Sequence, residues 1–139
     1  MQAPSPSPCP APELAVVVPT YNEADNVAEI ARRVGAALEG IDWELIFVDD
    51  DSPDQTWRLA RDLARGDSRV RVLQRVGRRG LSSACIEGML ATAAPFVAVI
   101  DGDLQHDEAL LPQMLAALKG EHLDIVVGSR YVAGGGVGD

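Results

Sequence analysis

Aromatic residues are scarce: two Trp, two Tyr and two Phe in 139 residues. Val, Ile, Leu and Ala must therefore fill any core. Cysteine is nearly absent. Cys9 and Cys85 make neither a disulfide framework nor a metal-ligand cluster, which fits a reducing, cytoplasmic compartment. Positive charge is in deficit, with 12 Lys and Arg against 21 Asp and Glu. A net charge of −9 argues against a general nucleic-acid binder, which is normally basic. No apolar run reaches transmembrane length, and no signal-type apolar core follows Met1. Any membrane contact is therefore expected to be peripheral, at a cytoplasmic face. The chain also lacks G-x-G-x-x-G and Walker A glycine loops, which argues against an NAD-type or P-loop site. His106 and His122 stand alone and read as surface or satisfied histidines.

What is present is one domain's worth of alternating pattern. Residues 1–12 form a Pro-rich tail, with Pro at 4, 6, 8, 10 and 12, expected to be disordered. From residue 13 the chain alternates strand and helix. Leu14–Val18, Glu44–Val48, Val70–Leu73, Phe96–Ile100 and Leu123–Val127 read as five strands. Helices are expected between them, the first capped by Asn22 or Asp25 and the second by Ser52 or Asp54. Helices are also expected over Leu81–Ala94 and Asp107–Lys119. Alternating βα units imply an α/β fold: a mainly parallel sheet with helices on both faces. Seven arginines between Arg61 and Arg79 read as a solvated helix face and a basic loop, or as a surface for anions.

Ligands of such sheets bind beyond the carboxyl ends of the strands. Four ends are polar: Pro19–Glu23, Asp49–Asp54, Asp101–Gln105 and Gly128–Tyr131. Asp101 and Asp103 repel each other unless a cation or donor lies between them. Gln105 adds a neutral oxygen. This is a pattern for Mg²⁺ or Mn²⁺ with open positions for phosphates, so a nucleotide is the expected ligand. Tyr21 can stack on a base, and Glu23 can accept from a base or ribose. Asp54 is explained as a helix cap, whereas Asp49 and Asp50 are not, so one of them is expected at a base or ribose. Arg130 offers a planar fork for phosphate. Gly80, before the third helix, allows close anion approach.

Assembled, these residues resemble the family 2 inverting glycosyltransferases of GT-A fold, and more narrowly the dolichol-phosphate (polyprenol-phosphate) mannose synthases. The matching stretches are V-V-V-P-T-Y-N-E at 16–23, V-D-D-D-S-P-D at 48–54 and G-L-S-S-A-C-I-E-G-M at 80–89. They continue with I-D-G-D-L-Q-H at 100–106 and G-S-R-Y at 128–131. The resemblance implies a Rossmann-like nucleotide-sugar-binding domain over residues 13–139. It implies GDP-mannose as donor and polyprenyl or dolichyl phosphate as acceptor. Pro19, Tyr21, Glu23, Val48 and Asp50 would hold the nucleoside. Asp101, Asp103 and Gln105 would hold Mg²⁺ or Mn²⁺ on the diphosphate, and Arg130 would contact the reacting phosphates. Gly102 stands where the family often has Ala. Catalytic domains of the family continue beyond the point matching Asp139, so this chain is expected to be the N-terminal part of one. A UDP-sugar transferase and a non-catalytic nucleotide-binding fragment are the alternatives.

Overall fold

The computed structural model describes residues 11–129. Most of the Pro-rich tail, Cys9, Arg130 and Tyr131 therefore lie outside the described residues. The sheet has four strands: β1 Leu14–Thr20, β2 Trp43–Asp49, β3 Val70–Gln74 and β4 Phe96–Val99. Their order is β3-β2-β1-β4, and every pairing is parallel. Helices α1 Val27–Ala37, α2 Thr56–Gly66, α3 Leu81–Leu90 and α4 Leu111–Glu121 connect and follow the strands.

Strand periodicity divides the apolar side chains into two cores. Leu14, Val16, Val18, Leu45, Phe47 and Ile100 face Ile30 and Val34 of α1, Ala60 of α2, and Leu111 and Leu115 of α4. Ala15, Val17, Ile46 and Val48 face Ala84 of α3 on the opposite side. The helix changes side because the chain reverses direction across the sheet. It steps from β1 to β2 to β3, then jumps back past β1 to reach β4. Crossovers of constant hand put a helix on the other face when the direction reverses. That reversal creates a switch point between β1 and β4, where open α/β sheets bind ligands.

The start of α1 differs from the sequence expectation, whereas Asp54 takes the Thr56 amide at the start of α2 as expected. Asn22 caps nothing; it takes a left-handed backbone (φ 56°), and a 3-10 turn over Ala24–Asn26 precedes α1. The Glu23 and Ala24 amides at the turn's start are satisfied from the neighbouring loop by Thr56 Oγ1 and Asp54 Oδ2. Asp107 does cap, its side chain accepting from the Ala109 amide at 3.0 Å. The fifth strand does not form. Leu123–Val127 has no ladder partner, and Ile125 and Val127 are 77% and 75% exposed. A parallel strand needs cover on both faces. Neither core cluster includes a residue of 123–127, so this segment has no such cover among the described residues. No helix among them is long and apolar enough to cross a membrane.

The Arg-rich stretch is absorbed piece by piece. Arg69 stacks on Trp43 and pairs with Asp67, Arg61 stacks on Trp57, and Arg71 pairs with Glu44. Hydrogen bonds from Arg32 and Arg33 bring the Glu29 carboxyl down to about 2. Hydrogen bonds from Arg69 hold Asp67 below its usual range, and those from Arg78 do the same for Glu87. Each depressed folded pKa adds stability that is present above the unfolded value, 4.5 for the two glutamates and 3.8 for Asp67, and lost as pH falls through the folded one, about 2 for Glu29. These pairs are exposed and screened by salt. The urea midpoint is therefore expected to fall on acidification from about pH 6 to about pH 2.5, by a smaller step in about 1 M NaCl. An unchanged midpoint across that window counts against these pairs.

Candidate active site

The register sets the rim of the site. Thr20 pairs with Asp49, and Asp49 with Gln74, so β1, β2 and β3 end level. The Ile100 amide donates to the Val17 carbonyl at 3.1 Å, which brings Asp101 up beside Pro19. Four of the five described non-glycine residues with positive φ lie in the rim loops: Asn22, Asp51, Gln55 and Leu104. Such backbone persists only where neighbours over-determine it, and it concentrates at functional sites.

Two clasps supply that determination between the loops after β1 and β2. Asp49 is fully buried. It accepts from the Thr20 hydroxyl at 2.8 Å, the Ser52 hydroxyl at 2.7 Å and the Ser52 amide at 2.8 Å. Ser52 Oγ in turn accepts from the Asn22 amide at 2.9 Å. Asp49 is thus an internal fastener, which leaves Asp50 as the carboxylate at the rim. Asp54 forms the second clasp. Its Oδ1 accepts from the Thr56 hydroxyl at 2.5 Å and the Thr56 amide at 3.0 Å, and its Oδ2 from the Ala24 amide at 3.2 Å. Burial alone raises the Asp54 pKa, but these donors outweigh it and hold the group below its ordinary value. One aspartate therefore serves the starts of two helices.

The β4 side carries the candidate metal centre. Oxygens of Asp101 and Asp103 and a ring nitrogen of His106 lie within 4.8 Å of one another, all three side chains being exposed. His106 Nε2 is 3.1 Å from Asp101 Oδ2. Leu104 takes φ 62°, and the Gln105 amide caps Asp103 Oδ1 at 3.1 Å, which curls the loop around its own carboxylates. Asn26 ties this loop to β1. Its amide nitrogen donates to Glu23 Oε2 at 2.9 Å and to the Gly102 carbonyl at 2.8 Å. A Cβ at Gly102 would stand 3.1 Å from Glu23 Cγ and 3.3 Å from Thr20 Cγ2, so the glycine permits close approach here. Burial raises the Glu23 pKa; the Asn26 hydrogen bond opposes this, and the charges of Asp103, Asp54 and Asp101 add to it. That concentration of negative charge, with oxygen and imidazole donors in reach, fits a hard divalent cation.

The β2 side carries the candidate nucleoside platform. Tyr21 is 42% exposed. The Arg79 guanidinium lies 4.3 Å from its ring centroid and also bonds its hydroxyl, so base stacking on that face requires Arg79 to move. The Asp50 amide donates to the Thr20 carbonyl at 3.2 Å, and Asp50 Oδ2 accepts from the Gly80 amide at 2.8 Å.

The structure thus gathers Tyr21, Glu23, Asp50, Asp101, Gly102 and Asp103 around one crevice, with Gln105 exposed at its edge. Pro19 and Val48 are buried in the sheet, Val48 packed against α3, so the Val48 side chain faces the core and not the site. Arg130 lies outside the described residues. Sequence reasoning missed three contributors. His106 joins the two aspartates, Asn26 bridges the two sides, and Arg75 is buried beside Asp50. Arg75 had a signal: it follows β3 at the same rim as the other strand ends.

Comparison with known proteins agrees with this architecture. The chain matches the family "Glycosyl transferase family 2" over residues 15–139. It is 42% identical over 125 residues to a dolichol-phosphate mannosyltransferase of Pyrococcus furiosus, covering 90% of this chain and 35% of that protein. It is 36% identical over 121 residues to a dodecaprenyl-phosphate galacturonate synthase of Rhizobium johnstonii, covering 85% and 36%. Among solved structures it resembles the mannosyltransferase PcManGT of Pyrobaculum calidifontis, determined with GDP-Man and Mn²⁺. That likeness has TM-score 0.66 and 25% identity, over 82% of this chain and 34% of that one. It also resembles glucosyl-3-phosphoglycerate synthase of Mycobacterium tuberculosis with Mn²⁺ and UDP, at TM-score 0.61 and 25% identity, over 77% and 39%. The chain spans about a third of the length of the relatives it matches. With the parallel sheet, the switch-point crevice and the paired aspartates after β4, the chain belongs to glycosyl transferase family 2 and has its Rossmann-like GT-A fold.

Proposed function

We propose that this chain is the nucleotide-sugar-binding part of an inverting, metal-dependent mannosyltransferase. It takes mannose from GDP-mannose to a polyprenyl or dolichyl phosphate at the cytoplasmic face of a membrane. The observation that carries the reading is the position of Asp101, Asp103 and His106 opposite Tyr21 and Asp50 across the β1/β4 switch point. The identity to a dolichol-phosphate mannosyltransferase and the likeness to a structure holding GDP-Man and Mn²⁺ support it.

The chemistry suits these residues. A phosphate acceptor is already anionic at neutral pH and needs no strong general base. The harder tasks are alignment and neutralising the leaving diphosphate. Asp101 and Asp103, with Gln105 or His106, would hold Mg²⁺ or Mn²⁺, which when bound supplies Lewis-acid stabilisation of that leaving group. Tyr21, Glu23 and Asp50 orient the nucleoside, with Pro19 and Val48 assigned to the backbone beside it. Arg130 is assigned to the phosphates, where its fork offsets repulsion between two anionic substrates. Direct displacement at the anomeric carbon inverts it, giving a β-linked lipid phosphate from an α-linked donor.

A UDP-sugar donor is the second reading, motivated by the galacturonate synthase and by the UDP-bound neighbour. The test is transfer of labelled sugar to polyprenyl phosphate with and without Mn²⁺, from GDP-mannose and, in parallel, UDP-glucose and UDP-galacturonate. Metal-dependent product from GDP-mannose alone is expected. Product from a UDP-sugar alone transfers the assignment to the second reading. Metal-dependent GDP binding with no product from any donor makes the chain a binding fragment.

A further inference from the structure

We infer that Arg75 is a positioning residue for the nucleoside, holding Asp50 so that a single carboxylate oxygen is left for the ring N–H of a base. The inference rests on the nucleotide reading above and extends it to a residue inside the protein.

Arg75 is 1% exposed, the largest fully buried side chain described. Its amide donates to the Asp49 carbonyl at 2.7 Å, which extends the β2–β3 pairing by one bond beyond the strand. Its guanidinium then reaches three groups. Nε is 2.9 Å from Asp50 Oδ1, Nη1 is 3.0 Å from Glu87 Oε2, and Nη2 donates to Ser83 Oγ at 2.9 Å. One cation thus joins the end of β2 to two turns of α3. Asp50 Oδ2 accepts from the Gly80 amide just before that helix. Both oxygens of Asp50 are therefore fixed from the same side.

A buried cation between two carboxylates is a costly way to fasten a helix to a sheet. Apolar residues of similar volume do that job as well or better. The arrangement makes sense where the orientation of the carboxylate itself matters. Asp50 Oδ1 has no solvent access, and the Arg75 contacts to Asp50 and Glu87 have ion-pair distances without hydrogen-bond alignment. Only Oδ2 stands at the rim, with one lone pair spare after the Gly80 amide. Tyr21 is adjacent through the Asp50–Thr20 backbone bond, and Arg79, which covers Tyr21, immediately precedes Gly80. A base beside Tyr21 would present its ring edge to Oδ2. Guanine and uracil carry a ring N–H there, whereas adenine and neutral cytosine do not.

The test is calorimetric binding to the full chain with Mn²⁺ present, using GDP, UDP, ADP and pyrophosphate, on the parent, Arg75→Lys and Glu87→Gln. Arg75→Lys keeps the charge and loses the fork. It is expected to weaken the better of GDP and UDP by about 10-fold or more while leaving pyrophosphate within about twofold. A change in overall fold would weaken both, so that pattern overturns the inference. So does nucleotide binding within about twofold of the parent by a folded Arg75→Lys. Glu87, a third exposed at its side chain, is expected to give about a threefold loss as Gln. It carries the same test should Arg75→Lys melt below the assay temperature. ADP is expected at least about 10-fold weaker than the preferred nucleotide in the parent, and equal affinity overturns the ring N–H assignment. A parent that binds pyrophosphate but no nucleoside diphosphate preferentially sinks the nucleotide reading itself. Nucleotide binding with an indifferent Arg75 sinks only this inference.

Discussion

Asp101→Ala or Asp103→Ala is expected to remove metal-dependent nucleotide binding while leaving the fold intact. The candidate centre has three donor side chains, two of them charged. Changes to residues merely behind metal ligands cost on the order of 10- to 100-fold in affinity. Removing a charged ligand is expected to cost at least the upper end of that range. Stability should move the other way. The Glu23 pKa is raised by burial and, beyond the opposing Asn26 bond, by the charges of Asp103, Asp54 and Asp101. A group whose folded pKa is raised subtracts stability as pH rises above its unfolded value. Deleting Asp103 relieves part of that cost, so the metal-free variant should melt no lower than the parent at neutral pH. Mn²⁺ titration by electron paramagnetic resonance, beside a thermal melt, reads both effects. Parent-like Mn²⁺ affinity in either variant removes Asp101 and Asp103 from the metal centre. Lost binding accompanied by a large drop in melting temperature makes them structural.

Much of the site was legible because strand ends in an alternating βα chain are places, not merely residues. An apolar run stopped by Pro19, and another stopped by Asp49, are enough to predict where Tyr21 and Asp50 emerge. Strand order, which the sequence does not state, then sets Asp101 against Glu23 by placing β4 beside β1. Roles that depend on which way a side chain turns were not legible. Asp49 and Asp50 are adjacent and alike in sequence, yet the pleat sends Asp49 inward to Thr20 and Ser52 and leaves Asp50 at the rim. Arg75 looked like one of several surface arginines because the third strand end was not read as a rim. Leu123–Val127 shows the opposite error. Its pattern is that of a buried strand, but pattern cannot state whether a neighbour exists to bury it. The start of α1 failed for a related reason: the donors after β1 are satisfied by Ser52, Asp54 and Thr56, 30 to 33 residues away in sequence.

Gly88→Ala is expected to be strongly destabilising, with the tightest Cβ clash of any described glycine. In an ordinary helix interior this substitution stabilises by up to about 1 kcal/mol. Here the new Cβ would lie 2.4 Å from Val17 Cγ1, 3.0 Å from Val48 Cγ2 and 3.1 Å from Val17 Cγ2. Both valines are fully buried, and β-branched side chains have little freedom at χ1. The helix must therefore move away from the sheet. Overpacking of this kind costs about 1–3 kcal/mol, enough to outweigh the propensity gain, and a net loss of about 2 kcal/mol is expected. Gly120→Ala in α4 is the matched control. Nothing lies within 4 Å of its Cβ, so a gain of a few tenths to about 1 kcal/mol is expected. Urea unfolding of the two variants reads the difference directly. A Gly88→Ala protein as stable as Gly120→Ala would mean that α3 does not sit this close to Val17. The displacement has a functional consequence too, because α3 carries Ser83 and Glu87, and both hold Arg75. A helix pushed outward at Gly88 pulls on the guanidinium that orients Asp50. Gly88→Ala should therefore weaken nucleotide binding as well as the fold, although Gly88 has no group that can touch a ligand.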